Sequence, residues 1–161
     1  MLNADHILET LNNCSVDYIL IGGMNFLLRH KPVLTFDVDI WIDDTDANRQ
    51  RCTEALVALE AEWGPSEDTW ASVTKLEADW LMRQVLFSLT TSAGPLDVFR
   101  RVAGLPSWQE CRQRAEICKT AAGTQYCSLS DDDMLACQFA LRESDRKLDR
   151  IRHLESVQKK S

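Results

Sequence analysis

Between Thr35 and Ile42 the chain alternates strictly. Phe36, Val38, Ile40 and Ile42 share one face, and Asp37, Asp39 and Trp41 share the other. That pattern predicts a strand with one apolar face to bury and two carboxylates on the opposite face. Aspartates two apart on a strand point the same way, separated by roughly 6–7 Å of rise. Any fold for this chain must cover the apolar face and leave a use for the acids.

The elements on either side narrow the choice. Val16–Ile21 reads as a buried strand, broken by Gly22-Gly23, with a short helix over 24–30 that Pro32 stops. A helix is expected upstream over 4–11, with Ile7, Leu8 and Leu11 on one face. Asp44-Thr45-Asp46 offers N-cap chemistry for a helix running to about Glu62, which Gly64-Pro65 closes. The stretch 66–83 has no clear period. Two strands, 84–90 and 95–99, follow around a turn at Ser92-Ala93-Gly94, and Leu105-Pro106-Ser107 leads into a helix to about Ala115. A short hairpin is expected about Ala122-Gly123, with Cys118 facing Cys127. Ser130-Asp131-Asp132-Asp133 caps a helix to about Glu143, and a last helix runs from about Asp145 to Val157. The fold class is α+β: a mixed β-sheet flanked by helices, ending in a C-terminal helix pair, as one domain over 1–161.

Composition excludes several functions. A net charge of −7 argues against a protein that coats nucleic acid. No apolar run reaches the ~20 residues of a membrane helix, and the N-terminus has no signal-peptide pattern, so a cytoplasmic setting is expected. The six cysteines contain no C-x-x-C pair, which speaks against zinc, and reduced thiols suit that setting. The charge is uneven. From Asp37 to Asp79 there are twelve acidic and three basic side chains, whereas arginines recur from Arg100 to Arg152. Such a division suits a metal and a phosphate sharing one cleft.

The chemistry gathers in three pieces. Asp37 and Asp39 can share hard cations. Asp97, in the strand Leu96-Asp97-Val98-Phe99, makes a third acid if that strand pairs beside the first. Gly22-Gly23 opens a helix, where free N–H groups and the absence of side chains let a phosphate approach.

In order and spacing these pieces resemble the DNA-polymerase-β-like nucleotidyltransferase superfamily. Within it they resemble the small bacterial group that includes abortive-infection nucleotidyltransferases of toxin–antitoxin pairs. The closing segments GPLDVFRRVAGLPSWQECRQRAE and SLSDDDMLACQFALRESDRKLDRIRHLE also resemble that group. The resemblance implies a nucleotidyltransferase fold and transfer of a nucleoside monophosphate from an NTP to an acceptor, which could be tRNA, a protein or a small molecule. It implies two magnesium ions on Asp37, Asp39 and Asp97, a phosphate-facing turn at Gly22 and Gly23, and Thr35 heading the aspartate strand. It also implies a cognate partner protein and no membrane contact. This chain departs from the pattern at Gln138, where the group often has a lysine aimed at the nucleotide phosphates, and at Val33, where an arginine is common. Arg142, Arg146 or Lys147 would then have to serve the phosphates. That departure keeps a second reading open: a nucleotidyltransferase-fold binding or regulatory module with weak or no catalysis.

Overall fold

The computed structural model describes residues 1–160. The chain begins with α1 (Ala4–Asn13), whose first turn is capped by Asn3 accepting from the His6 N–H at 3.1 Å. It continues through β1 (Tyr18–Ile21), α2 (Gly22–Arg29), β2 (Val38–Ile42) and α3 (Asp46–Ala58). The short strands β3 (Glu62–Trp63) and β4 (Ala71–Ser72) form a separate two-stranded ribbon. Next come β5 (Leu86–Leu89), β6 (Leu96–Phe99), α4 (Trp108–Arg114), β7 (Glu116–Lys119) and β8 (Gln125–Ser128). The closing pair is α5 (Asp131–Ala140) and α6 (Leu148–Lys160). Ser107 and Ser130 cap α4 and α5 as their sequences imply.

Six strands form one sheet in the order β5-β6-β2-β1-β8-β7. The β2–β6 and β1–β8 pairs are parallel and the others antiparallel, so the sheet is mixed. One face packs on α1 and α3 through Ile7, Leu8, Leu11, Ala55 and Leu56 against Leu20, Val38, Ile40 and Val98. The other packs on α4, α5 and α6 through Cys111, Leu135, Ile151 and Leu154 against Ile19, Ile21 and Trp41. The architecture is α+β, with both faces of the sheet covered and the C-terminal helices forming one layer.

Several boundaries differ from the sequence pattern, each for a physical reason. β2 begins at Val38, not Thr35. Its pairing with β1 ends at Ile21↔Asp39, because β1 turns into α2 at Gly22 and leaves residues 35–37 no antiparallel partner. Phe36 therefore leaves the apolar face assigned to it and is 70% exposed. α3 stops at Ala58 rather than Glu62, since Glu62 and Trp63 pair with β4 and Glu62 bridges Thr90. The aperiodic stretch 66–83 holds β4 and three short 3-10 turns, and it delivers Trp80 to a cluster with Trp63 and Phe87. α5 ends at Ala140 and α6 starts at Leu148, so the expected helix ends at Glu143 and Asp145 lie in a 3-10 turn between them.

The β7–β8 hairpin corrects the expected cysteine pair. Its register sets Ile117 against Cys127 and Cys118 against Tyr126. Thr120 N–H donates to the Thr124 carbonyl at 2.9 Å, closing a three-residue connection in which Gly123 has φ +90°. An odd-length turn moves the register by one residue, which sends the two cysteines to opposite faces. All six cysteines are free.

Candidate functional site

β2 and β6 lie side by side, in parallel, with Asp39 directly opposite Asp97. On both strands the residues before and after these acids, Val38, Ile40, Leu96 and Val98, are fully buried on the α1/α3 side. The pleat therefore forces Asp39 and Asp97 out of the opposite face. Asp37, just ahead of β2, joins them. One carboxylate oxygen from each of Asp37, Asp39 and Asp97 lies within 4.8 Å of the others, and all three residues are half-buried.

The glycine turn closes over this cluster. Gly22 has φ +72°, and a Cβ there would fall 2.3 Å from Asp39 Oδ2. Only glycine satisfies both the backbone conformation and the close approach. A Cβ on Gly23 would lie 3.0 Å from the Thr35 hydroxyl and 3.2 Å from an Arg150 guanidinium nitrogen. Thr35 in turn donates to the Asp37 carbonyl at 3.3 Å. α2 is held in place by two side chains that meet at Ser128 in β8. Asn25 Oδ1 accepts from the Ser128 hydroxyl at 2.6 Å, and Arg29 donates to the Ser128 hydroxyl oxygen at 2.8 Å. The N-terminus of α2, the carboxylates and Arg150 of α6 thus meet at one point.

The electrostatics of the cluster are unresolved by protein alone. Burial, then the charges of Asp37 and Asp97, push the Asp39 carboxyl up to about 8, while Arg150 pulls it back. Burial also raises Asp97, against the Ser88 hydroxyl that lies across from it on β5. Asp39 Oδ1 is buried and has no hydrogen-bond donor among the described residues. Three converging carboxylates, one with an orphaned oxygen, are a hard-donor set that fits a divalent cation.

No family model matches the chain, and no curated protein matches its sequence. Solved structures do match. One is the lincosamide antibiotic adenylyltransferase LnuA in its lincomycin-bound form, with a TM-score of 0.63 at 16% identity, covering 97% of this chain and 98% of that one. Another is ANT(2")-Ia in complex with adenylyl-2"-tobramycin, with a TM-score of 0.57 at 12% identity, covering 96% of this chain and 86% of that one. The chain has the nucleotidyltransferase fold.

On the nucleotidyltransferase fold the sequence-derived residues sort into two groups. Asp37, Asp39, Asp97, Gly22, Gly23 and Thr35 come together as described. Gln138 lines a small cavity of about 40 Å³ with Gly22 and Arg150, but its Oε1 accepts the Lys147 backbone N–H at 2.8 Å and so ties α5 to α6. The Lys147 side chain borders a larger cavity beside Arg150. Arg142 is exposed ahead of the 3-10 turn 143–145 and lines neither cavity. Arg146 donates to the Leu141 and Phe139 carbonyls and so closes the end of α5. The cation that reaches the glycine turn is Arg150, which sequence spacing did not single out. Its signal was a position one helical turn before Leu154 on the face of α6 that packs inward, legible only once the direction of α6 is known.

Proposed function

We propose that this protein is a metal-dependent nucleotidyltransferase that moves a nucleoside monophosphate from an NTP to an acceptor hydroxyl. The observation that carries this reading is the convergence of Asp37, Asp39 and Asp97 within 4.8 Å, directly beneath the Gly22 turn. Magnesium held by these three carboxylates would supply charge neutralisation to the phosphates and lower the pKa of the acceptor hydroxyl. The remaining work falls to the chain. The N-terminus of α2 presents N–H groups to the triphosphate, and Gly22 and Gly23 leave its approach free of side chains. Arg150 places a guanidinium beside Gly23 for the outer phosphates, in the role that the sequence sought in Arg142, Arg146 or Lys147. The acceptor oxygen bonds to the α-phosphorus, the bond to the bridging oxygen breaks, pyrophosphate leaves, and the acceptor proton passes to solvent.

Two of the matched structures, LnuA with lincomycin and ANT(2")-Ia with adenylyl-2"-tobramycin, carry an antibiotic or its adenylyl product, which favours a small-molecule acceptor over tRNA or protein. A cognate partner protein, as in toxin–antitoxin pairs, belongs to this proposal through the sequence resemblance alone. The test is to incubate the protein with magnesium, α-labelled ATP and lincosamide or aminoglycoside acceptors, and to measure pyrophosphate and labelled product. Time-dependent release that EDTA stops supports the reading. If magnesium and ATP neither raise the melting temperature nor yield pyrophosphate, the reading is wrong.

The engagement of Gln138 with the Lys147 backbone favours a second reading, because that side chain is spent on structure rather than on a nucleotide. A binding module predicts a rise in melting temperature with magnesium and ATP but no pyrophosphate at any time with any acceptor.

A further inference from the structure

Arg150 reaches the glycine turn without a polar group to hold it there. Among the described residues its guanidinium has no hydrogen bond and no ion pair. Five N–H donors in a half-buried place, none of them bonded, leave the side chain open to an anion. They also leave its position to packing. That packing is the ring of Phe26, whose centre lies 5.8 Å from the guanidinium carbon. Phe26 is itself buried in a connected stack. Its ring centre is 5.2 Å from that of His30 and 5.6 Å from that of His153, and the two histidines meet edge to face at 4.8 Å. His30 Nε2 lies 2.7 Å from Asp131 Oδ1 in the first turn of α5. A carboxylate only accepts, so this nitrogen carries the proton and donates. Helical spacing sets the alignment. Gly22, Phe26 and His30 follow one another in steps of four along α2, and Arg150 and His153 are one turn apart on α6. Asp131, His30, Phe26 and Arg150 thus form a strut from α5 through α2 to α6, ending at the glycine turn.

We propose that His30 and Asp131 are positioning residues for this site: through the Phe26 ring they hold the Arg150 guanidinium against Gly23, where it meets the outer phosphates. This rests on the proposed nucleotidyltransferase reading and adds what aims its phosphate-binding cation. Neither residue needs to touch substrate. An arginine side chain loses much rotamer freedom when a ligand fixes it, and a ring already in place beneath it removes part of that cost before the ligand arrives. Charge and geometry make opposite predictions for Asp131. As a bare negative charge near an anion site it would repel phosphate, and its removal would tighten binding. As the anchor of the strut it fixes His30, and its removal lets His30 and Phe26 settle elsewhere. The guanidinium then loses its aim, and phosphate binds more weakly.

The experiment measures the binding of inorganic triphosphate, with magnesium, by calorimetry. The proteins are wild type, Asp131→Ala, Asp131→Asn, His30→Ala, Arg150→Gln and the double variant Asp131→Ala/Arg150→Gln, with melting curves to verify folding. Asp131 is part-exposed, so Asp131→Ala carries the test if His30→Ala does not fold. Arg150→Gln should weaken binding ~10-fold or more, the scale of a lost charged hydrogen bond. Asp131→Ala and His30→Ala should each weaken it ~3–10-fold, within the range of coupling inside one network. Asp131→Asn keeps an acceptor for His30 and should recover most of that loss. In the Arg150→Gln background Asp131→Ala should change binding by less than ~2-fold, since the strut then has nothing to aim. Asp131→Ala that binds as tightly as wild type, or more tightly, overturns the inference and leaves the transferase reading standing. Equal losses in both backgrounds also overturn it, because they mean a general loosening of α5. Unchanged binding in Arg150→Gln takes Arg150 off the phosphates and overturns the inference, with the carboxylate site untouched. Wild type that binds no triphosphate brings down the transferase reading, and this inference with it.

Discussion

The two faces of β2 are built from adjacent residues and have opposite physics. On the α1/α3 side Val38, Ile40 and Ile42 are fully buried among other aliphatic side chains. On the α5/α6 side Asp39 sits between them in sequence, half-buried, with one oxygen that has no donor among the described residues and its carboxyl pushed up to about 8. One face releases free energy by leaving water, and the other stores electrostatic cost where a cation and a phosphate could relieve it. The lesson is that the same five-residue strand carries both the stability and the strain of the site. A substitution moved by one position should therefore exchange one kind of effect for the other.

The largest expected effect is on the strained face. Asp39→Asn keeps the side-chain shape and removes a charge from the ligand set. Transfer activity should fall by ~10³-fold or more, since metal stabilisation of the transition state is worth several kcal/mol. Melting in EDTA should show stability level or raised, because one of three repelling carboxylates is gone. An unchanged rate would remove Asp39 from the site.

One position on, Ile40→Ala should behave in the opposite way. It should cost ~2–5 kcal/mol of stability as a large-to-small change in a sealed core. Magnesium should still raise the melting temperature of whatever fraction folds. A loss below ~1 kcal/mol in urea titration would mean that this face is less tightly packed than its burial indicates.

At the junction of the two, Gly22→Ala should cost ~1–3 kcal/mol, since it puts a Cβ on a left-handed residue and against Asp39 Oδ2. Its magnesium response should weaken as well. A destabilised variant with a wild-type magnesium response would separate the turn from the carboxylates.

The smallest effect is a pH slope. The folded Asp39 pKa, about 8, lies above the unfolded carboxylate value, so between about pH 4 and 8 the metal-free folded state binds more protons than the unfolded one. Stability therefore falls as pH rises through that window, and Asp97 adds in the same direction. Between pH 5 and 7.5 in EDTA, wild type should lose at least ~1 kcal/mol more than Asp39→Asn. Parallel curves for the two proteins would show that Asp39 is not strained. Saturating magnesium should flatten the wild-type slope, because cation binding selects the ionised carboxylates.

Much of this contrast is local in origin. Alternation between Val38 and Ile42 is enough to put Asp39 opposite the aliphatic residues, because a strand repeats every two residues wherever it is placed. Gly22-Gly23 after an apolar strand likewise signals a turn that needs open backbone, and the structure gives Gly22 φ +72°. Ser107 and Ser130 identify their helix starts by cap chemistry alone. Where a side chain's fate depends on a partner distant in sequence, the same reasoning fails. Phe36 continues the apolar alternation and is exposed, because β1 ends opposite Asp39 and offers it no cover. Cys118 and Cys127 look symmetric about Ala122-Gly123, but the turn adds one residue and separates them.

The sequence by itself therefore determined the acids, the glycine turn and the α+β class, since these rest on periodicities and local backbone needs that no tertiary contact alters, and its quoted motifs carried the resemblance to nucleotidyltransferases. Tertiary structure alone decided that β6 runs parallel beside β2 with Asp97 opposite Asp39, that Arg150 arrives at Gly23 from the far end of the chain, and that Phe36, Leu34 and Leu148 share one open cavity. Strand order and helix direction follow from how whole apolar faces are buried together, a sum over many distant side chains that no short stretch of sequence records.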